Sequence, residues 1–167
     1  MHEDDAALVA CIPRLRRYAR ALVGDLAGAD DLVQDTMERA WLRLSSWRRT
    51  AELRPWLFAI MHNLHIDQLR RACVPTVPFD ESTPEPSQPA AASTLDARDM
   101  QAALAILPPD QRAVLLLVAL DDMTYEQVAA TLQIPIGTVM SRLSRAREKL
   151  RAHLAGRNMP VPLKVVK

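Results

Sequence analysis

Residues 137–151 combine arginines with small polar side chains in a pattern suited to reading DNA. They hold five basic residues against one acidic residue, Glu148. Val139, Leu143 and Ala146 recur every three or four residues, which predicts a helix with one apolar face. A helix that carries small polar and arginine side chains at its N-terminal end, with apolar residues behind them, fits a DNA major groove. The alternative is an ordinary amphipathic helix whose basic face is only solvated.

A second helix should precede this one and complete a helix-turn-helix. Thr124 and Gln127 fit a capping box, in which the threonine caps the helix start and the glutamine reaches back to it. That helix should stop at Gln133-Ile-Pro135, and the next should begin at Ile136 or Gly137. We expect Ser141, Ser144 and Arg145 to meet base edges and the flanking arginines to meet phosphates. The candidate duplex-binding residues are Gly137, Thr138, Met140, Ser141, Arg142, Ser144, Arg145 and Arg147.

Acidic residues line one face of another predicted helix. Asp31, Asp35 and Glu38 lie at positions i, i+4 and i+7, with Gln34 beside them. Like charges at that spacing weaken an isolated helix slightly, so the arrangement does nothing for stability. It indicates a surface for a basic partner. The alternative is a solvated acidic face near a helix N-terminus, where acidic residues are favourable in any case.

A third set of residues is suited to holding a single nucleic-acid strand. Tryptophans and arginines before and on a predicted helix would supply stacking and phosphate contacts, and an amide could read a base edge. The candidates are Trp47, Arg48, Trp56, Asn63, Arg70 and Arg71. Trp56 could equally belong to the core, and Phe58 is expected there.

The composition favours a compact helical protein without catalytic or metal chemistry. Hydrophobic residues make up 49% of the 167 residues, glycines number only four, and the net charge of +1 excludes a uniformly basic DNA-binding protein. Cys11 and Cys73 fit no zinc spacing and are expected to be buried or idle thiols. His62 and His65 have no third ligand at a matching offset. No catalytic set, phosphate-binding loop or cofactor motif is present, so no enzyme activity, cofactor or metal is expected.

The chain should fold as two small helical domains on a flexible tether. Residues 74–94 are rich in proline and serine and contain no lysine or arginine, which predicts a mobile linker. Residues 4–73 should form a three-helix bundle, residues 95–155 the helix-turn-helix domain, and residues 156–167 a poorly ordered tail. An acidic N-terminus without a long apolar run predicts neither a signal peptide nor a membrane span, and therefore a cytoplasmic protein.

Both domains resemble bacterial sigma factors of the extracytoplasmic-function (ECF) group, within the sigma-70 family. The stretch from Leu104 to Leu150 is similar to region 4, through Leu107-Pro-Pro-Asp-Gln-Arg112 and Gly137-Thr-Val-Met-Ser-Arg-Leu-Ser-Arg-Ala-Arg147. Residues 12–71 resemble region 2, through Asp30-Asp-Leu-Val-Gln-Asp35 and Trp56-Leu-Phe-Ala-Ile-Met-His-Asn63. Leu53–Phe58 together with Gly137–Arg142 looks most like the general-stress type.

The resemblance implies a function and a role for each surface. The protein would bind core RNA polymerase and direct it to particular promoters, under control of an anti-sigma factor. Asp31, Gln34, Asp35 and Glu38 would dock on polymerase, and the Trp/Asn face would hold the melted minus-ten strand, with Asn63 contacting an extruded base. The C-terminal helix would read the minus-35 element as duplex. Alternatives are a stand-alone helix-turn-helix regulator, or an interaction protein that binds an anti-sigma factor and no DNA.

Overall fold

The protein is all-α, as predicted. A computed structural model describes residues 3–47, 51–73 and 95–158, and the regular structure in these ranges is helical throughout. The predicted linker at 74–94, Arg48 and the tail from residue 159 lie outside the described residues. A 3-10 turn at Leu44–Ser46 follows the second helix. The helices are α1 (Glu3–Val23), α2 (Leu26–Arg43), α3 (Leu53–Cys73), α4 (Leu95–Ala105), α5 (Pro109–Asp121), α6 (Tyr125–Leu132) and α7 (Ile136–Asn158).

Helices α1 to α3 pack into a bundle around large apolar side chains. Leu15 of α1, Leu32 of α2 and Leu57 of α3 are fully buried. Tyr18 and Phe58 meet edge to face, with ring centroids 5.1 Å apart and an interplanar angle of 78°, a preferred aromatic geometry. Phe58 is therefore a core residue, as predicted.

Apolar residues at helical spacing, Val33, Met37, Ala40, Trp41 and Leu44, predict a wider stripe on α2 than the one the structure buries. Val33 and Ala40 are buried, but Trp41 is 55% exposed. Consecutive residues on an α-helix differ by about 100° in direction, so Trp41 lies beside the buried stripe rather than on it. Its indole is left at the surface, next to Leu42.

Helices α4 to α7 form the second domain, and the predicted helix-turn-helix is present in it. Asp122, with φ of 51°, ends α5, and Gln133, with φ of 55°, ends α6. The left-handed conformation at both residues turns the chain sharply after each helix. On α7, the predicted apolar face of Val139, Leu143 and Ala146 is buried.

Helix α7 is longer than the apolar pattern indicated. It continues to Asn158, so the prediction that the tail begins at residue 156 is wrong for residues 156–158. Gly156 suggested a stop because glycine weakens a helix by about 1 kcal/mol relative to alanine. Here it lies within the last turn, and a Cβ built on it would meet nothing within 4 Å.

The two domains lie against each other. Helix α1 contacts α5, and α3 contacts α6. The buried apolar residues form one connected cluster that includes members of both domains. The sequence predicted two domains on a flexible tether, and it did not predict this contact.

The capping box at the start of α6 should contribute measurably to stability. Gln127 donates its backbone N–H to Thr124 Oγ1 at 3.2 Å, and Thr124 donates its own to Gln127 Oε1 at 3.0 Å. We expect Thr124→Ala to lower the free energy of unfolding by about 1 kcal/mol, measured by urea denaturation. Thr124→Ser retains the accepting hydroxyl and should lose less than half as much. Equal losses for the two variants would contradict a role for the cap.

Candidate polymerase and nucleic-acid interfaces

The acidic residues of α2 form a continuous exposed face. Asp31, Gln34, Asp35 and Glu38 are all exposed. The helix is oriented by its N-cap, Asp25, whose side chain accepts from the Gly28 N–H at 2.6 Å. The apolar face of α2 is buried against the core, so the carboxylates on its other face remain in solvent. The predicted acidic residues therefore form one exposed surface.

Apolar and basic side chains extend this surface toward α3. Leu42 is 76% exposed, one turn beyond Glu38, so an apolar side chain lies at the surface beside the carboxylates. Between α2 and α3 lies a groove of about 330 Å³. Its lining residues are Asp35, Glu38, Arg39, Leu42, Leu64, Asp67, Gln68 and Arg71. Asp67 and Gln68 were missed by sequence analysis, because only adjacency to α2 gives them a place in this surface.

The start of α3 carries a pair of tryptophans. Trp47 and Trp56 lie with ring centroids 6.2 Å apart and planes inclined by 37°. Trp56 is half-buried and packs against the core, and its role in strand binding stays a prediction. Trp47 Nε1 is buried without a hydrogen-bond partner among the described residues. The loop and helix thus present one joined aromatic surface.

Polar residues continue from the tryptophans along α3. Asn63 lies two helical turns beyond Trp56, about 10 Å along the axis, and is exposed. Arg70 and Arg71 are exposed in the last turns of the helix. Aromatic, amide and guanidinium groups therefore succeed one another along α3, an order suited to stacking, base contact and phosphate contact.

Burial keeps the imidazoles of His62 and His65 uncharged. Burial lowers the pKa of His62 to about 4, with smaller contributions from His65 and Arg142. Burial also lowers the pKa of His65, followed by the effect of Arg112. Both imidazoles are therefore neutral near pH 7. Across the described residues, no group of three or more His, Cys, Asp or Glu side chains is placed to hold a metal ion.

The outer face of α7 is open at its N-terminal end. Met140 is 50% exposed, and Ser141, Ser144, Arg145 and Arg147 are exposed. Gly137 has no described atom within 4 Å of the place a Cβ would occupy. Thr138 is half-buried, and its carbonyl accepts from Ser141 Oγ at 3.2 Å. The serine hydroxyl therefore keeps its lone pairs for an incoming donor.

Arg142 is placed differently from the other basic residues of α7. Its side chain is half-buried and pairs with Asp110 of α5 at 3.4 Å. Its charge also contributes to the lowered pKa of His62 on α3, after burial and His65. A phosphate contact was predicted for Arg142, and in this arrangement the guanidinium has a partner inside the protein.

A shallow groove connects the two helices of the helix-turn-helix. It has a volume of about 330 Å³ and is lined by Tyr125, Met140, Leu143, Ser144, Arg147 and Arg151. Tyr125 was not singled out from the sequence, and the groove shows that this first residue of α6 faces Met140 and Arg147 of α7. Its phenol and the Met140 thioether give this part of the reading face an apolar component.

In the part of the chain that the structure describes, no helix is both long and apolar enough to cross a bilayer.

Comparisons with known proteins match both domains. Residues 8–62 match the family model described as the sigma2 domain of PhyR, and residues 97–150 match sigma-70 region 4. The ECF RNA polymerase sigma factor EcfG of Rhodopseudomonas palustris is 38% identical over 149 residues, which cover 88% of this chain and 82% of that protein. SigM of Mycobacterium tuberculosis, also an ECF sigma factor, is 37% identical over 144 residues, covering 86% and 72%.

Solved structures agree with these sequence matches. The sigma factor RpoE of Bartonella quintana, in complex with the anti-sigma factor NepR, superposes with a TM-score of 0.77 at 32% identity, covering 93% of this chain and 98% of that one. CnrH, in complex with the cytosolic domain of CnrY, gives 0.69 at 27% identity, covering 93% and 88%. The predicted family is confirmed over both domains, and the chain belongs to the ECF group of RNA polymerase sigma factors.

Proposed function

We propose that this protein binds core RNA polymerase and directs it to a set of promoters. Each of its two domains would carry out a different part of this function. Residues 4–73 would bind polymerase and the melted minus-ten strand, and residues 95–155 would read the minus-35 duplex. The observation that carries the proposal is the coexistence of three separate surfaces on one chain: the acidic face of α2, the Trp/Asn face of α3 and the open face of α7. A stand-alone helix-turn-helix regulator would use only the last of these.

The acidic face of α2 would be the polymerase contact. Exposed carboxylates steer a basic partner, and an exposed leucine beside them can supply apolar burial at the centre of the contact. Asp31, Asp35 and Glu38 would provide the charges and Leu42 the apolar anchor. Polymerase would perform the chemistry of RNA synthesis, and this chain would contribute promoter choice and strand opening. It would therefore act in the cytoplasm.

The face of α3 would hold one strand of the opened promoter. The Trp47–Trp56 pair offers a platform on which an unpaired base can stack, a contact worth about 1–3 kcal/mol. Asn63 could pair with the edge of an extruded base, and Arg70 and Arg71 would meet phosphates on the same helix. Arg48 would add a phosphate contact from the preceding loop.

The face of α7 would read duplex DNA. Ser141, Ser144 and Arg145 lie where a recognition helix meets base edges, and Gly137 leaves room for close approach of the sugar-phosphate backbone. Met140 would contact an apolar group such as a thymine methyl, assisted by Tyr125 across the groove. Thr138, Arg142 and Arg147 would position the helix through phosphates, and Arg142 would first have to leave Asp110.

We also propose that an anti-sigma factor controls the protein, as in the general-stress type of ECF factor. The likeness to RpoE in its complex with NepR supports this, since it extends over 98% of RpoE. Pull-down with core polymerase separates the alternatives. A sigma factor must bind core enzyme, whereas a stand-alone regulator should not.

Reversing charge on the acidic face should abolish polymerase binding without unfolding the protein. Asp31→Arg with Asp35→Arg replaces attraction by repulsion, and we expect binding to core polymerase to be lost in a pull-down. Exposed substitutions cost about 0.5 kcal/mol of stability or less. Glu3→Arg makes the same kind of charge change at an exposed position of α1 and should leave binding unchanged. Normal core binding by the folded double variant would refute this assignment.

Loss of the Asn63 amide should impair strand opening rather than promoter binding. Holoenzyme containing Asn63→Ala should form the closed complex normally but show weaker permanganate reactivity in the melted region. The lost edge contact is worth about 1–3 kcal/mol. Asn63→Asp keeps the size of the side chain but removes its donors, so it separates a donated from an accepted hydrogen bond. Unaltered permanganate reactivity in both variants would count against the contact.

Two arginines of α7 should affect DNA binding in different ways. Arg145→Ala should relax sequence preference at one position and cost about 1–3 kcal/mol, because it removes a base contact. Arg147→Ala should weaken binding to all sequences alike and reduce the salt slope by about one. The measurement is holoenzyme binding to a promoter library with a randomised minus-35 element, at two salt concentrations. The same uniform loss in both variants would contradict the division into reading and anchoring residues.

A further inference from the structure

The groove between α6 and α7 changes in character along its length. Four of its lining residues belong to α7, at positions 140, 144, 147 and 151, and this spacing of four, three and four residues places them on one stripe of the helix. Met140 comes first in this stripe, and Arg147 and Arg151 come last, about 16 Å further along the axis. The groove is therefore apolar toward the N-terminal end of α7 and cationic toward its C-terminal end.

The apolar end of the groove combines two fixed side chains with one adaptable side chain. Leu143 is buried in the core, and Tyr125 is half-buried and packs against the same core. Thr124 caps α6 immediately before Tyr125, so the backbone that carries the phenol ring is also held. Met140, by contrast, is exposed, and an unbranched thioether side chain adjusts readily to the shape of a ligand. A small apolar group can therefore be enclosed between Tyr125 and Met140.

The charge of the groove indicates what kind of molecule carries that apolar group. The lining residues, all in the described part of the chain, include two arginines and no carboxylate. Glu148, the one acidic residue between positions 137 and 151, does not line the groove. An occupant with negative charge beside a small apolar group fits this arrangement. Duplex DNA has both, because each base lies beside phosphates and the C5 methyl of thymine is the apolar group exposed in the major groove.

Ser144 lines the same groove and affects which pyrimidines fit. Thymine presents an oxygen acceptor at C4, whereas cytosine presents an amino donor there. A serine hydroxyl both donates and accepts hydrogen bonds, so Ser144 is compatible with either group. The methyl at C5 is then the feature that the groove distinguishes. 5-Methylcytosine carries this methyl at the same carbon as thymine, whereas unmodified cytosine lacks it.

We propose that Tyr125 and Met140 bind the C5 methyl of a pyrimidine, so that thymine and 5-methylcytosine are both accepted at one position of the minus-35 element. Methylation of a cytosine at that position would then increase the affinity of the holoenzyme for the promoter. The proposal rests on the proposed function, since it requires α7 to read duplex DNA. It goes further in naming the chemical group that is read and in making promoter binding sensitive to a modification of the DNA.

Replacing thymine by deoxyuridine tests the proposal, because this change removes the methyl and keeps the base pair. Holoenzyme formed from core polymerase and the full-length chain is bound to a duplex carrying the preferred minus-35 sequence, with deoxyuridine at one thymine after another. Affinity should fall about 3- to 5-fold at one position, the effect of one buried methyl group. At that position 5-methylcytosine should bind about 3- to 5-fold more tightly than cytosine, and both of these bases pair with guanine.

Substitutions in the groove test whether these residues bind the methyl. Met140→Gln keeps the length of the side chain and removes its apolar end, so thymine and deoxyuridine should bind equally. Met140→Leu keeps an apolar side chain and should retain the preference for thymine. Ile136 is another exposed apolar residue of α7 but does not line the groove, so Ile136→Gln should also retain it. The preference is a ratio for two duplexes with one protein, so a general loss of stability or of core binding cancels.

Two results would overturn the proposal. One is equal affinity for thymine and deoxyuridine at every position with the unsubstituted chain. The other is a preference for thymine that is unchanged in Met140→Gln, which would show that another residue binds the methyl. Failure of the unsubstituted chain to form a holoenzyme that binds any promoter duplex is a different result. It would refute the proposed function, and the methyl-binding groove together with it.

Discussion

The functional surfaces of this protein depend on which helix faces the cores bury. Once Val139, Leu143 and Ala146 are taken out of water, the rotation of α7 is fixed, and Ser144 and Arg145 must point outward. Burying a leucine-sized side chain contributes about 1.5–3 kcal/mol, far more than a surface ion pair. Rotation of the helix by about half a turn would exchange buried and exposed sets, so the apolar stripe specifies the DNA-facing residues indirectly. The same holds for the acidic face of α2.

Features that depend on one helix at a time could be predicted from the sequence. The capping box at Thr124, the turn after Gln133, the core position of Phe58 and the apolar face of α7 are all present. Each follows from spacing along a single element, where the periodicity of 3.6 residues has a direct consequence. Trp41 departs from the pattern because a stripe predicted from spacing has no defined width. The neighbouring elements decide where burial ends.

The contact between the domains could not be predicted, for a physical reason. Arg17 and Arg112 bond to backbone carbonyls, and every residue has a carbonyl, so the acceptor leaves no signal in the sequence. Arg14 and Arg17 are three residues apart on α1, a spacing that places them on one face, but nothing in the sequence says what lies opposite. Asp121 is the last residue of α5, and Arg14 of the first domain lies 3.9 Å from its carboxylate.

The balance at the interface follows from the opposite effects of apolar contact and buried charge. The apolar cluster shared by the domains favours their association, and nothing within the cluster favours their separation. A carboxylate buried without a hydrogen bond costs free energy, and this cost increases as the surrounding residues exclude water more completely. Burial raises the pKa of Asp121 although Arg54, Arg14 and Arg17 lower it, so the ionised carboxylate is less stable at this interface than in water.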